Sequence, residues 1–175
     1  MTSPKKLTVD FVGDVLDTLA TKKFILDDNI DKALEHIPES FSSVDMLFIS
    51  CKINDNDIPL FIDTGAAISV MPKSVAVSCG LSDLIDQRYQ GKLIGVGTQK
   101  IYGKVYYVDI IIEDFSIPCS FTIVDDKDDV ETPVIFGLDM LHRHGCCLDI
   151  GGRKMIMGGK VIPFIRKKTF LPKST

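Results

Sequence analysis

The residues best suited to chemistry lie between Leu60 and Pro72. There an apolar run, Leu60-Phe61-Ile62, meets Asp63-Thr64-Gly65, two alanines, Ile68 and a polar turn toward Pro72. A carboxylate at the end of an apolar strand is costly, because desolvation opposes its charged form. A carboxyl so placed is a candidate for taking and giving protons. Thr64 offers a hydroxyl that can hold neighbouring backbone, and Gly65 lets backbone approach the carboxylate without a Cβ in the way. The plainer reading of the tripeptide alone is a turn or helix-cap aspartate. Its flanks argue for more: apolar residues before it, Ala66-Ala67 after it, and a separate apolar-apolar-glycine element, Ile135-Phe136-Gly137, further along.

Three other groups could carry chemistry. His142-Arg143-His144-Gly145-Cys146-Cys147 collects soft ligands, but no second ligand pair stands at a recognised metal spacing, so decoration of a helical turn is expected there. Asp125-Asp126-Lys127-Asp128-Asp129 lacks the glycine and closing glutamate of a calcium loop and reads as a solvated acidic loop. A nucleophilic thiol needs a nearby histidine, and only Cys146 and Cys147 have one close in sequence. No metal and no cofactor is expected.

The elements that must position Asp63 follow from the hydrophobic period. Val9, Val12, Leu16 and Leu19 recur at helical spacing, as do Ile30, Ala33, Leu34 and Ile37, which predicts two short helices, the second ended by Pro38. From Val44 the period changes to short apolar, β-branched and aromatic runs. Met46 to Ile53 and Ile58 to Ile62 flank a four-residue loop, Asn54-Asp55-Asn56-Asp57, and predict a hairpin that delivers Asp63. Pro72 suits a first helical position, with a short helix from Val75 to Cys79 closed by Gly80. Gly91 to Gly103 is glycine-rich; Lys104 to Ile112 and Ile117 to Val124 read as strands, as do Pro133 to Gly137, Cys146 to Ile150 and Lys154 to Met157. Many short strands with few helices predict a mainly β barrel or sandwich.

The 175 residues suffice for one domain with a small appendage, burying roughly 70% of the unfolded surface. Hydrophobic content of 45% and charged content of 25% are those of a globular chain. Five scattered cysteines suit free thiols in a reducing compartment, and a net charge of -4 does not favour nucleic acid. From Gly151 onward Arg153, Lys154, Lys160, Arg166, Lys167, Lys168 and Lys173 occur with no acid, which reads as a solvated basic tail or, more sharply, as a surface for anions.

Taken together, the motifs resemble the retropepsin-like domain of the Ddi (DNA-damage-inducible) protease family. The resemblance runs from about Asn29 to about Gly158. It rests on the linker Pro38-Glu39-Ser40-Phe41, the active-site run Phe61-Ile62-Asp63-Thr64-Gly65-Ala66, the flap run Gly95 to Lys100, Pro118-Cys119-Ser120-Phe121, and Gly137-Leu138-Asp139-Met140-Leu141. It implies a closed acid-protease barrel over residues 41–160, preceded by a helical segment and linker (1–40) and followed by a basic tail (161–175). It implies Asp63 as the catalytic group, supported by Thr64, Gly65 and Ala66. A flap carrying Gly95, Val96, Gly97, Thr98 and Ile101 would close over substrate, with Ile135, Phe136 and Gly137 along the groove. Family members often carry an N-terminal ubiquitin-like domain and some a C-terminal ubiquitin-associated domain; 175 residues leave room for neither, so either an excised fragment or a reduced member of the family is expected.

One carboxyl cannot both activate a water and protonate a peptide carbonyl, whereas two sharing a proton can do both. The chain holds one Asp-Thr/Ser-Gly; Asp149-Ile150-Gly151 lacks the hydroxyl. A homodimer with Asp63 from each copy is therefore expected, and the resemblance implies that it acts on extended, including ubiquitinated, polypeptides in the ubiquitin–proteasome pathway. The expected location is the cytoplasm, extending to the nucleus, with neither nucleic acid nor membrane as partner. A catalytically weak or inactive dimerisation or binding module of the same fold, in the ubiquitin–proteasome pathway, is the alternative.

Overall fold

A computed structural model of the chain describes residues 10–42, 44–95, 97–126 and 132–166. It divides into two compact units, Met1–Val44 and Asp45–Thr175. Among its described residues the first unit is a single helix, α1 (Asp10–His36), followed by a 3-10 turn at Pro38–Phe41. This corrects the expectation of two short helices. Residues 20 to 29 lie between the two runs and hold no proline or glycine to stop the backbone, so helix-forming Ala20, Lys22, Lys23 and Leu26 carry the helix through. Val9 lies outside the described residues. No helix among the described residues is long and apolar enough to cross a membrane.

The second unit is a closed barrel. Its strands are β1 (Phe48–Ile53), β2 (Asn56–Ile62), β3 (Val70–Pro72), β4 (Gly91–Gly95), β5 (Gly97–Ile112), β6 (Phe115–Val124) and β7 (Val134–Phe136). They pair in the order β1-β2-β7-β3-β6-β5-β4, and Lys52 opposite Ile111 joins β5 back to β1, so six strands form the ring and β4 extends from it as one arm of a hairpin. A second sheet holds β8 (Cys147–Asp149), β9 (Lys154–Met157) and β10 (Lys160–Pro163). Two short helices complete the unit, α2 (Lys73–Ser78) and α3 (Leu138–Arg143).

Alternation explains the barrel wall. Along β6, Ile117, Cys119, Phe121 and Ile123 turn inward while Pro118 and Ser120 are half-buried, and Ile49, Cys51 and Ile53 do the same from β1. Met155, Met157 and Ile162 carry the second sheet onto the same core. The hairpin that precedes Asp63 is tighter than expected. Its turn is two residues, Asn54 and Asp55, both at positive φ (44° and 66°), and Asn56 enters β2. Asn and Asp tolerate this left-handed geometry, which matches strand twist. Pro72 caps α2 from the end of β3 rather than opening the helix, and Gly80 follows it at φ 70°.

The basic C-terminal residues differ most from a free tail. The tail expected from residue 161 begins inside β10, and Ile162 and Phe164 are buried. Arg153 and Arg166 both reach Asp45, at 3.0 and 3.5 Å, Lys154 lies 3.5 Å from Asp149, and Lys160 bonds Asp114. Arg153, Arg166 and Lys160 are paired within the unit with acids distant in sequence, and Lys154 with nearby Asp149. Lys167, Lys168 and Lys173 lie outside the described residues.

Candidate active site

Asp63 follows β2 directly. The strand registers in parallel on β7, Ile62 opposite Phe136, and the Asp63 amide continues the ladder by donating to the Phe136 carbonyl at 3.1 Å. Buried Leu60 and Ile62 fix the strand, and Asp63 emerges half-buried. The backbone then folds back on itself. Gly65 N–H donates to Asp63 Oδ1 at 2.8 Å and Ala66 N–H to the Asp63 carbonyl at 3.3 Å. The carboxylate is thereby oriented by its own turn. Thr64 is exposed, and its hydroxyl has no hydrogen-bond partner among the described residues of its own chain, contrary to the expected hold on neighbouring backbone.

A second loop interlocks with this turn. After β7, Gly137 passes so close to the Asp63 loop that a Cβ there would stand 2.7 Å from the Ile68 carbonyl carbon and oxygen and 2.8 Å from the Ala66 oxygen. Leu138 N–H donates to Ala66 O at 2.8 Å and Asp139 N–H to Ala67 O at 3.2 Å. Gly137 N–H donates to Ser69 Oγ at 3.0 Å, and Ser69 Oγ donates to Asp139 Oδ1 at 2.7 Å. Ser69 and Asp139 were not singled out as site residues from sequence. Ser69 carries no local signal, and Asp139 lies in the Gly137-Leu138-Asp139-Met140-Leu141 run that supports the resemblance but was given no role there.

Asp63, Thr64, Gly65 and Ala66 are thus brought together with Phe136 and Gly137, two separated stretches of the chain. Phe136 contributes its carbonyl, since its side chain is wholly buried and stacks on His144 with ring centroids 6.3 Å apart. It cannot line a groove. Ile135, half-buried, pairs with both Phe61 and Val70. The glycine-rich segment is a hairpin in which Gly91 faces Ile101, Ile94 faces Thr98 and Gly95 faces Gly97. Val96, at its tip, lies outside the described residues. Ile101 is buried at the hairpin's base, which leaves it little surface for substrate. Gly103 serves close packing there: a Cβ would fall 2.5 Å from Ile85 Cγ2 and 2.9 Å from the Asp86 oxygen.

The competing groups are otherwise engaged. Asp149 accepts from Gly152 N–H at 2.7 Å and meets Lys154, and these contacts, the backbone bond foremost, hold its carboxyl below the usual carboxylate range. His144 Nε2 pairs with the Pro118 carbonyl at 3.0 Å. Burial pushes the Cys51 thiol up to about 12 and Cys146 up to about 11, and raises Cys79 and Cys119 as well, the reverse of nucleophile activation. Among the described residues no three His, Cys, Asp or Glu side chains are grouped to hold a metal ion. In the acidic loop, Asp126 accepts from the backbone and hydroxyl of Ser74 at 3.0 and 2.6 Å; residues 127–131 lie outside the described residues.

A six-strand closed barrel whose Asp-Thr-Gly turn locks against an apolar-apolar-glycine loop defines a class. The family model described as aspartyl protease matches residues 38–149, and the chain belongs to that family. Within it, the similarity is to Ddi proteins. Protein DDI1 homolog 2 of Danio rerio is 39% identical over 133 residues, covering 76% of this chain and 32% of the relative. DNA damage-inducible protein 1 of Neurospora crassa is 36% identical over 148 residues, covering 85% and 33%. The crystal structure of the retroviral protease-like domain of Ddi1 from Leishmania major matches with a TM-score of 0.63 at 33% identity, over 70% of this chain and 96% of that one. The chain spans about a third of the length of the curated relatives it matches.

Proposed function

We propose that two copies of this chain form an aspartic endopeptidase, each supplying Asp63 to a shared dyad. One observation carries the reading: the Asp63 carboxylate stands half-buried on a rigid turn, held through one oxygen by Gly65 N–H, while the nearby acid of the second loop, Asp139, is committed to Ser69. A complete acid–base pair therefore needs a second Asp63. The exposed Thr64 hydroxyl adjoins it on the surface that a second copy would cover.

In such a dyad the two carboxyls lie too close for both to ionise, so they hold one proton between them and titrate as a unit. The ionised member takes a proton from water as its oxygen attacks the peptide carbonyl carbon. The protonated member gives its proton to the carbonyl oxygen. Collapse of the resulting diol breaks the C–N bond, with a proton passed to the leaving nitrogen. The hairpin of β4 and β5 is the element suited to cover an extended substrate and supply backbone hydrogen bonds. The Ddi resemblance supports unfolded or ubiquitin-conjugated proteins of the cytoplasm and nucleus as substrates.

The test is cleavage of an unfolded protein and of a ubiquitin-conjugated one by the wild-type chain and by Asp63→Asn. The variant is expected to lose about three orders of magnitude in turnover or more. Equal digestion by both would remove Asp63 from the mechanism. Sedimentation at about 10–50 μM should show a dimer, a range in which a modest interface is populated; monomer alone would end the shared-dyad reading.

A further inference from the structure

We propose that Ser69 and Asp139 act as the positioning pair of this active site, locking the Asp63 turn to the Gly137 loop. The kinetic part of this inference rests on the proposed endopeptidase activity; its structural part does not. Ser69 is 1% exposed and sits immediately before β3. Its carbonyl accepts from Thr122 N–H at 2.9 Å, which fastens it to β6. Its hydroxyl joins the two loops, and the direction of that joint is forced. Gly137 N–H can only donate, so Ser69 Oγ accepts from it and has one proton left, which goes to Asp139 Oδ1. Asp139 Oδ1 also accepts from Met140 N–H at 2.8 Å, which orients the carboxylate at the start of α3.

The consequence reaches Asp63 from both sides. Upstream of Gly137, the Phe136 carbonyl holds the Asp63 amide; downstream, the amides of Leu138 and Asp139 hold the carbonyls of Ala66 and Ala67. Gly137 is the hinge of this double attachment, and the Ser69 hydroxyl is the side-chain acceptor that fixes its amide. Loss of that acceptor leaves a buried N–H unpaired, which the backbone relieves by moving. A displacement of about 1 Å at a reacting group is enough to cost on the order of 100-fold in rate. What the pair requires of position 139 is an acceptor oxygen rather than a negative charge, so Asn serves there and Ala does not.

The experiment uses the full chain with Ser69→Ala, Asp139→Ala and Asp139→Asn. Ile53→Val, at the far end of the β1–β2 hairpin from Asp63, is the control for a general loss of stability. For Ser69→Ala and Asp139→Ala, kcat on a peptide substrate should fall about 10- to 100-fold with KM changed by less than about 3-fold. Asp139→Asn should stay within about 3-fold of wild type in both. The double Ser69→Ala/Asp139→Ala variant should be no worse than either single change, as for groups acting as one unit. A folded, dimeric Ser69→Ala with wild-type kcat would overturn the proposal, as would Asp139→Asn losing as much as Asp139→Ala. Amide hydrogen exchange supplies an arm independent of catalysis: the Gly137 and Leu138 amides should exchange at least about 10-fold faster in Ser69→Ala and Asp139→Ala than in wild type or Ile53→Val. Unchanged exchange refutes the positioning role even if the wild-type chain cleaves nothing, and accelerated exchange supports it in that case too.

Discussion

Gly137→Ala isolates the closeness of the two loops. At Gly137 the backbone has φ -90° and ψ -175°, a conformation alanine adopts without strain, so the cost of the change is steric. The added Cβ would lie 2.7 Å from the Ile68 carbonyl carbon and oxygen and 2.8 Å from Ala66 O. All three are backbone atoms, which cannot rotate aside as a side-chain tip would. Overpacking of this kind costs about 1–3 kcal/mol, and the rigid neighbours place it near 3. Replacing glycine also narrows the unfolded ensemble, which returns about 0.4–1 kcal/mol, leaving a net loss of about 2–2.5 kcal/mol. With a urea m-value of about 2 kcal/mol/M, the unfolding midpoint falls by about 1 M. Gly80→Ala is the comparison, since its Cβ meets nothing within 4 Å while φ is 70°. That change costs about 1–2 kcal/mol by conformation, less the same unfolded-state return, so the midpoint falls by about half as much or less. Far-UV circular dichroism or tyrosine fluorescence reports unfolding in this tryptophan-free chain. Chain concentration is held fixed, because the proposed association of two copies would contribute to apparent stability. A Gly137→Ala midpoint equal to wild type, or no lower than that of Gly80→Ala, would refute the interlocked-loop argument.

Two further outcomes are expected. In native protein at pH 8 a thiol reagent should modify Cys147 rapidly and the other four cysteines only slowly, since Cys147 is exposed while burial raises the thiols of Cys51, Cys79, Cys119 and Cys146; a second fast thiol would contradict this. Burial lowers the His144 pKa from 6.5, against the opposing hydrogen bond to Pro118, with Arg143 lowering it further. The unfolded chain therefore takes up this proton at a higher pH than the folded one, and His144 costs stability progressively as pH falls below about 6.5. Urea midpoints at pH 7.5 and 5.5 should differ more for wild type than for His144→Gln, and equal differences would dismiss the effect.

Those features that rest on local pattern were legible in the sequence. The change of period near Val44 announced the β unit, and the apolar run before Asp63 announced its strand. Errors arose where the signal was missing or shared. The two periodic runs ending at Leu19 and beginning at Ile30 read as separate helices, yet a helix ends where the backbone is stopped, and no proline or glycine between them stops it. The basic run after Gly151 looked like a tail because its acids are elsewhere: Asp45 and Asp114 are more than 40 residues away from the cations they meet. Charge patterning along a chain sees neighbours in sequence, and an ion pair is a neighbour in space.

The candidate site shows the same limit at higher stakes. Asp63-Thr64-Gly65 could be found because its residues are contiguous, and Gly137 because it ends an apolar run. What joins them spans 70 residues, from Ser69 to Asp139, and uses two of the least distinctive residue types. Phe136 illustrates why proximity to a site does not define a role: its ring faces the core while its carbonyl holds the Asp63 amide, so the backbone does the work that a residue-by-residue reading assigns to the side chain. The same logic applies to Thr64. Its hydroxyl has no partner among the described residues of its own chain, so its place beside Asp63 is not explained by contacts within that chain, and its role is to be sought in whatever meets the exposed face of the turn.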